Sequence, residues 1–241
     1  MCCGIGSAHS GRLAAVMDEP TPISIAELDA IIFDLGGVLL QLNYRATVHE
    51  LSTLFEQDVA GLYAQAKQDA VFDAFERGEI DPSTFHQRLI GLLPERSAEF
   101  LEQLAKTNLA AAVDTAWNKM LLNIPGENLE LLSKLKGKLR VYLLSNTNQI
   151  HLERFLDDYA KEHLLQHGPW QDHFHATYYS HLLGQRKPEA RIYQRVLAEQ
   201  GLDPGRTLFI DDNHENLAGA RAVGIKTIHH PTNAALAGRF M

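Results

Sequence analysis

The sequence contains very little cysteine and has no long hydrophobic run. Its 241 residues include two cysteines, the neighbours Cys2 and Cys3, so neither a disulfide framework nor a cysteine-based zinc site is predicted. No run of about 18 consecutive apolar residues is present, and that is the length a membrane-spanning helix needs. We therefore expect no membrane partner.

The sequence also lacks an excess of basic residues. It carries 22 Lys and Arg against 30 Asp and Glu, which gives a formal net charge of −8. Binding to nucleic acid needs a clustered basic surface, so we expect no nucleic-acid partner. Hydrophobic residues make up 45% of the sequence, a fraction typical of a globular protein with a sizeable core.

The amino-terminal segment lacks the apolar central stretch of a secretory signal. Small and polar residues dominate it, and we interpret residues 1–22 as a disordered leader in which Met17 is an alternative start of translation. A cytoplasmic location is the resulting prediction. The oligomeric state is left open between a monomer and a homodimer.

What the sequence does contain is a series of short apolar runs that end in polar residues. Such runs are typical of buried parallel strands. Five of them are predicted to be strands: Ala30–Phe33, Leu139–Leu144, Ala176–Tyr179, Thr207–Ile210 and Lys226–Ile228. Helical patterns separate the later strands, including a helix that is predicted to begin at Pro188 and to end at Gly201. This alternation predicts an α/β fold, a Rossmann-like parallel five-stranded sheet with helices on both faces.

A different pattern separates the first strand from the second. Between Leu42 and about Pro125 the residues predict only helices, one capped by Asp81 and another that begins at Ser97. Four or five short helices are too many for a simple crossover, so we interpret this segment as an inserted all-helical cap domain. The predicted division is a leader of residues 1–22, an α/β core of residues 23–42 and 125–241, and a cap of residues 43–124.

Two segments need a separate interpretation. The four histidines between His163 and His175 follow an irregular pattern, and we predict a solvent-exposed loop there rather than a metal site. The segment from Arg77 to Pro82 is predicted to be an ordinary turn between helices, with a loop that reaches towards the active site as the alternative.

Asp34 directly follows the first predicted strand and precedes the pair Gly36-Gly37. In open α/β sheets, ligands bind outside the carboxyl ends of the strands. Glycines at this point let the backbone approach a small anion closely. Asp34 is therefore a candidate for a functional carboxylate.

Polar residues also follow the later strands. Ser145 and Asn146 come directly after the second strand and supply hydrogen-bond donors for an oxyanion. Lys187 precedes a proline, which keeps it extended and outside the helix, and its ammonium suits a phosphate oxygen. Asp211 and Asp212 follow the fourth strand, and two adjacent carboxylates are unfavourable unless a cation such as Mg²⁺ binds between them.

This ordered series resembles the haloacid dehalogenase-like hydrolase superfamily over roughly residues 29–230. Within it, residues 33–38, 144–148 with His151, 186–193 and 211–213 resemble the branch that contains α-D-glucose-1-phosphate phosphatases and the N-terminal phosphatase domains of epoxide hydrolases. The resemblance implies a Mg²⁺-dependent phosphatase. Its expected partner is a small phosphorylated metabolite, with sugar phosphates such as α-D-glucose 1-phosphate as the expected substrates.

The resemblance also implies how the phosphate is handled. Asp34 would be the nucleophile and would form an aspartyl-phosphate that water then hydrolyses. Ser145, Asn146 and Lys187 would bind the oxygens of the transferring phosphoryl group.

The same resemblance implies a set of magnesium ligands. Mg²⁺ would be held by Asp34, by the backbone carbonyl of Gly36 and by Asp212. Asp211 and Asn216 would support the ion through water or from behind the direct ligands.

One position departs from the pattern of most phosphatases of this superfamily. They carry a second Asp two positions after the nucleophile as general acid and base, a role typically worth ~10²–10⁴-fold, and this sequence has Gly36 there. The glucose-1-phosphatase-like branch resembles this chain in that glycine, so activity is still expected. Two alternatives stay open: a 2-haloacid dehalogenase-type hydrolase, and a catalytically degenerate protein that binds a phosphoester without turnover.

Overall fold

The structure of the chain is a computed structural model. It describes residues 23–61, 63–64, 67–68, 70–91, 102 and 108–240. The predicted leader and the helix predicted to begin at Ser97 lie outside the described residues. Among the described helices, none combines the length and the apolar character that are needed to cross a membrane.

The core of the fold is a parallel sheet of five strands. They are β1 (Ala30–Phe33), β4 (Arg140–Ser145), β5 (Ala176–Tyr179), β6 (Thr207–Asp211) and β7 (Lys226–His229). The strands lie in the order β5-β4-β1-β6-β7, and every neighbouring pair is parallel. The predicted strands are confirmed, with ends that differ from the prediction by at most one residue.

Helices cover both faces of this sheet, as predicted. They are α5 (Gly126–Lys136), α6 (Gln149–Glu162), α7 (Leu164–His167), α8 (Ser180–Leu183), α9 (Ala190–Gln200) and α10 (His214–Ala222). Alternate residues of β1 point to opposite faces. Ile31 packs into the hydrophobic cluster that includes Leu129 and Phe155 of α5 and α6, and Ile32 packs into the cluster that includes Ile192 and Leu217 of α9 and α10.

Two details of the helices differ from the prediction. Helix α9 begins at Ala190, two residues after Pro188, because Glu189 is still extended and serves as its N-cap. Its end is as predicted, with Gly201 in the left-handed conformation at φ 57°. The spacing of Leu152, Phe155, Leu156 and Tyr159 predicts one apolar face of α6, yet Leu156 is 38% exposed, because the packed face of the helix centres on Phe155 and Tyr159.

The described residues between 43 and 124, which we call the helical insert, lie between β1 and α5 and form a separate hydrophobic cluster. The insert contains α1 (Tyr44–Leu54), α2 (Ala70–Glu76), α3 (Pro82–Gly91) and α4 (Leu109–Trp117). Asp81 caps α3 as predicted, since its Oδ1 accepts from the backbone N–H of Thr84 at 2.7 Å. The buried residues of this core include Leu51, Phe55, Phe72, Phe75, Phe85, Leu89, Val113 and Trp117.

The prediction of an insert built only from helices is wrong. Two short strands, β2 (Tyr63–Ala64) and β3 (Lys67–Gln68), pair in antiparallel fashion within it. Strands of two residues are too short to produce an alternating hydrophobic pattern, so the sequence carries no readable signal for them.

The prediction of an exposed loop between His163 and His175 is also wrong in part. A short 3-10 turn, Trp170–His173, packs against α6 with Trp170 and His173 both buried. The hydroxyl of Tyr159 lies 2.7 Å from Nε2 of His173, and the indole N–H of Trp170 donates to the hydroxyl of Tyr179 at 2.9 Å. These aromatic contacts depend on tertiary packing and leave no periodic pattern in the sequence.

Candidate active site

The predicted site residues meet at the carboxyl edge of the sheet. Asp34 follows β1, Ser145 ends β4, and Asp211 ends β6. A cavity of about 370 Å³ lies between this edge and the helical insert, a size within the range of small-molecule sites. The predicted residues that line it are Asp34, Gly36, Ser145, Asn146, Lys187, Asp212 and Asn216.

The ammonium of Lys187 is the charge centre of the site. Its side chain is 0% exposed, and Nζ lies 2.8 Å from Oδ1 of Asp34 and 2.7 Å from Oδ2 of Asp211. Burial acts to lower the pKa of Lys187, but the charges of Asp211 and Asp34 outweigh it and raise the pKa above its usual value. Lys187 therefore stays protonated and holds the two carboxylates together.

Asn146 brings Lys187 to this position through the backbone. The side-chain amide of Asn146 donates to the carbonyl of Lys187 at 3.0 Å, and its Oδ1 accepts from the backbone N–H of Lys187 at 2.9 Å. Ser145 lies directly before it, and its hydroxyl makes one long bond of 3.4 Å to the carbonyl of Asn146. The end of β4 thus anchors the segment that carries the lysine.

Asp211 lies behind the cavity rather than in its wall, and its carboxylate is saturated with donors. Besides Lys187, its oxygens accept from the backbone N–H of Asn213 at 2.7 Å and from the amide of Asn216 at 3.1 Å. Asn213 also caps α10 through bonds from the backbone N–H groups of Glu215 and Asn216. Asp211 consequently orients residues that reach the cavity.

Asp212 faces the cavity and is held from the side by a residue that the sequence did not suggest. The hydroxyl of Thr232 donates to Oδ2 of Asp212 at 2.7 Å. Gly37 lies against the same oxygen: it has φ +79°, and a Cβ there would lie 2.3 Å from Oδ2. A glycine is therefore required at position 37, both for its conformation and for the space that Asp212 occupies.

The charges of the site fit a divalent cation. Oxygens of Asp34, Asp211 and Asp212 lie within 4.8 Å of one another, whereas Lys187 supplies a single positive charge among them. Burial raises the pKa of Asp34 well above its usual value; Lys187 opposes this rise, while Asp211 and Asp212 add to it. Burial also raises the pKa of Asp212. An oxygen-donor set with surplus negative charge is the environment that Mg²⁺ prefers.

The space where a side chain at position 36 would lie is occupied by Leu42. A Cβ on Gly36 would lie 2.8 Å from Cδ1 of Leu42, so the leucine side chain fills the space beside the glycine. Leu42 is itself held by Asn233, whose amide bonds the backbone N–H and carbonyl of Leu42 at 2.8 and 2.7 Å. Asn233 was not predicted from the sequence.

His151 does not supply the missing proton-transfer group. Its Nε2 donates to the carbonyl of Trp117 at 3.1 Å, and its Nδ1 lies 3.2 Å from the amide of Asn148. Burial lowers the pKa of His151 to about 4, so the ring is neutral at pH 7 with both nitrogens engaged. It stacks on the Trp117 ring at 5.1 Å and thereby joins α6 to the helical insert.

The wall that the helical insert contributes has two parts. An apolar part consists of Tyr44, Trp117, Met120 and Leu121. A charged part consists of Asp73 and Glu76 of α2, which ion-pair with Arg186. Arg186 belongs to the part of the chain built around the five-stranded sheet, which we call the sheet domain. No pattern in the sequence indicates this ion-pair cluster. Next to it, Arg77 pairs with Glu189. The segment that begins at Arg77 is a turn between α2 and α3, as predicted, and through Arg77 it also contacts the sheet domain.

Comparison with known proteins agrees with this geometry. Residues 28–224 match the model of the haloacid dehalogenase-like hydrolases. The chain is 26% identical over 208 residues to D-ribitol-5-phosphate phosphatase of Bacteroides thetaiotaomicron, covering 85% of this chain and 92% of the relative. It is 24% identical over 204 residues to the sesquiterpene phosphatase astK of Aspergillus oryzae, covering 83% and 88%.

Comparison with solved structures points to the same family. A wild-type enzyme of the same family from Bacteroides thetaiotaomicron, solved with magnesium and inorganic phosphate, is similar with a TM-score of 0.71. It is 30% identical to this chain, and the match covers 88% of this chain and 98% of that one.

Proposed function

Since the chain belongs to the haloacid dehalogenase-like hydrolase family, we propose that it is a Mg²⁺-dependent phosphatase that works through an aspartyl-phosphate on Asp34. It is a hydrolase of phosphoric monoesters, like the phosphatases that match it along most of their length. Its substrates are small phosphorylated molecules.

One observation carries the proposal: Asp34 lies within a cluster of three carboxylates that a single buried ammonium holds together. The residues fit Mg²⁺, with Asp34, the carbonyl of Gly36 and Asp212 as ligands, and Asp211 and Asn216 in support. The ion, when bound, would offset the repulsion between an anionic nucleophile and an anionic phosphate. A dehalogenase-type reaction needs no metal, so this cluster favours the phosphatase.

The contacts of Asp34 suggest which of its oxygens reacts. Its Oδ1 accepts from the backbone N–H of Leu35 at 2.7 Å and from Lys187 at 2.8 Å. We assign Oδ2 as the oxygen that bonds to phosphorus while the ester P–O bond breaks. Lys187, Ser145 and Asn146 would hold the phosphoryl oxygens during this transfer. Water would then attack phosphorus, which releases phosphate and restores the carboxylate.

The leaving group would depart without a protein acid at position 36. Leu42 fills the space beside Gly36, and His151 is neutral and fully bonded. Protonation of the leaving oxygen then depends on a substrate hydroxyl, on water or on a residue of the helical insert. This favours substrates whose leaving oxygen is more acidic than that of an ordinary alcohol. In α-D-glucose 1-phosphate the leaving oxygen is the anomeric oxygen, which meets this condition.

The helical insert would act as the cap domain of residues 43–124, closing over the cavity to exclude water during phosphoryl transfer. Its wall residues would contact the part of the substrate that does not react. A cytoplasmic location and a monomeric or homodimeric state remain part of the proposal.

The test is phosphate release from a panel of sugar and alkyl phosphates, measured with Mg²⁺ and with EDTA. We expect turnover that requires the metal and that falls at least about 10³-fold in Asp34→Asn, because the nucleophile is lost. Asp157→Asn is the matched control, since Asp157 pairs with Lys161 on the exposed face of α6, and it should keep wild-type turnover. Turnover that survives EDTA, or that persists in Asp34→Asn, would contradict the proposal.

A further inference from the structure

We propose that the cavity selects phosphate monoesters whose remaining part is uncharged, and that Asp73 and Glu76 enforce this selection by occupying Arg186. The inference rests on the phosphatase function proposed above and names its substrate class. Sugars, polyols and other alcohols that carry one phosphate would be accepted. Bisphosphates and phosphorylated carboxylic acids would be rejected.

The Arg186 guanidinium is already paired with the helical insert. One of its Nη atoms pairs with Oδ1 of Asp73, and the other lies 2.9 Å from Oε2 of Glu76. Asp73 and Glu76 are three residues apart on α2 and therefore lie on the same face of that helix. A guanidinium recognises an added carboxylate or phosphate through its paired N–H groups. Here the insert already engages both Nη ends.

The wall of the cavity carries more acidic than basic side chains. Among the described residues that line it, five are acidic and two are basic. Lys187 serves the reacting centre, where it pairs with Asp34 and Asp211, and Arg186 is paired with the insert. A divalent cation with Lys187 would balance the reacting phosphate, but a second anionic group would face surplus negative charge. The five acidic residues are Asp34, Asp73, Glu76, Asp212 and Glu215.

Contacts next to Asp73 and Glu76 hold these two residues in place. The turn after α2 packs closely on the sheet domain, since Gly78 has φ +66° and a Cβ there would lie 2.1 Å from the carbonyl of His181. Arg77 pairs with Glu189 on the same side. Asp73 and Glu76 are therefore part of a packed boundary beside the Lys187 segment, and their charges stay near the substrate.

The rest of the insert wall suits an uncharged group. Tyr44, Trp117, Met120 and Leu121 contribute aromatic and apolar surface, which packs against the C–H faces of a sugar or against an alkyl chain. Carboxylate oxygens of the ion-pair cluster can accept hydrogen bonds from substrate hydroxyls.

The experiment compares substrates that differ by one carboxylate. The pairs are sorbitol 6-phosphate with 6-phosphogluconate, and glycerol 3-phosphate with 3-phosphoglycerate, with p-nitrophenyl phosphate as the reference. For the full-length protein with Mg²⁺, we expect kcat/KM to favour the neutral member of each pair at least about tenfold. In Asp73→Asn/Glu76→Gln, Arg186 is freed, and we expect this ratio to fall at least about tenfold, mainly through a lower KM for the acidic substrate.

Two control variants make the result specific. Glu79→Gln removes a charge of the same sign from a residue whose side chain is 60% exposed and only weakly paired to Arg77, and it should leave the ratio unchanged. Adding Arg186→Gln to the double variant should restore the preference for the neutral substrate. The melting temperature of each variant shows whether it folds. If the double variant does not fold, the single variants Asp73→Asn and Glu76→Gln are measured in its place.

The outcomes separate this inference from the proposed function. Absence of Mg²⁺-dependent turnover on every phosphoester, the reference included, would overturn both. Turnover with a ratio near one in the wild type would overturn the selection alone. An equal loss on both members of a pair in the double variant would show that the ion pairs only stabilise the fold, and would overturn the role of Asp73 and Glu76.

Discussion

Replacing Lys187 with methionine tests the electrostatic centre of the site. Lys187 is fully buried, and its ammonium lies between Asp34 and Asp211. Methionine is unbranched and of similar length, so Lys187→Met removes the charge with little change in packing. The two carboxylates then face each other without their shared partner.

The structure sets the expected magnitude. Removing one partner of a buried ion pair costs about 3–5 kcal/mol, because the other charge stays buried without compensation. For a chain of this size, each kcal/mol lowers the melting temperature by about 2–4 °C. We therefore expect Lys187→Met to melt about 6–20 °C below the wild type in EDTA at pH 8. Lys161→Met is the matched control: it breaks the exposed i,i+4 pair with Asp157, worth about 0.3–0.5 kcal/mol.

The pH dependence gives a second check. Burial raises the pKa of Asp34, so above the usual carboxyl pKa the folded state holds more protons than the unfolded state. Stability then falls as the pH rises towards the raised pKa of the folded state. Without Lys187 the carboxyls protonate more readily, and the deficit of Lys187→Met should shrink between pH 8 and pH 5.

Thermal unfolding followed by circular dichroism, in EDTA at both pH values, measures these quantities. Adding Asp211→Asn to Lys187→Met removes one of the stranded charges and should recover part of the lost stability. A single variant that melts within about 2 °C of the wild type, or a deficit that grows on acidification, would refute the assignment of Lys187 as the ion that holds the site together.

Two further predictions concern residues outside the reacting group. Thr232→Val removes the hydroxyl that holds Asp212, so we expect the Mg²⁺ concentration for half-maximal activity to rise about tenfold. Thr232→Ser keeps a hydroxyl and should keep the wild-type value. An unchanged Mg²⁺ requirement in Thr232→Val would contradict this role of Thr232. His151 is neutral in the fold with its pKa lowered from 6.5 to about 4, so the unfolded state gains protons first as the pH falls through that window. Up to about 3 kcal/mol of stability is lost there. Urea unfolding at pH 7 and pH 4.5 measures this loss of stability, which should be smaller for His151→Gln than for the wild type. Equal losses in the two proteins would contradict the role of His151 in this pH dependence.

The local pattern of the sequence determined the sheet and much of its functional edge. A strand buried on both faces needs a continuous apolar run, and such a run is visible without any knowledge of the fold. Because parallel strands all point the same way, the polar residues after them meet at one edge. Asp34, Ser145 and Asp212 could therefore be predicted to lie together, and the structure places them around one cavity.

Tertiary structure alone decided the contacts that join distant parts of the chain. Arg186 and Asp73 are 113 positions apart, and Asn233 and Leu42 are 191 apart. Charged and amide side chains such as these have the pattern of a solvated surface, because hydrophobic periodicity reports which face is buried and not which polar groups meet. An ion pair or a side-chain clamp forms only after packing has brought its partners together, so the wall of the cavity and the support of Leu42 could not be predicted from sequence.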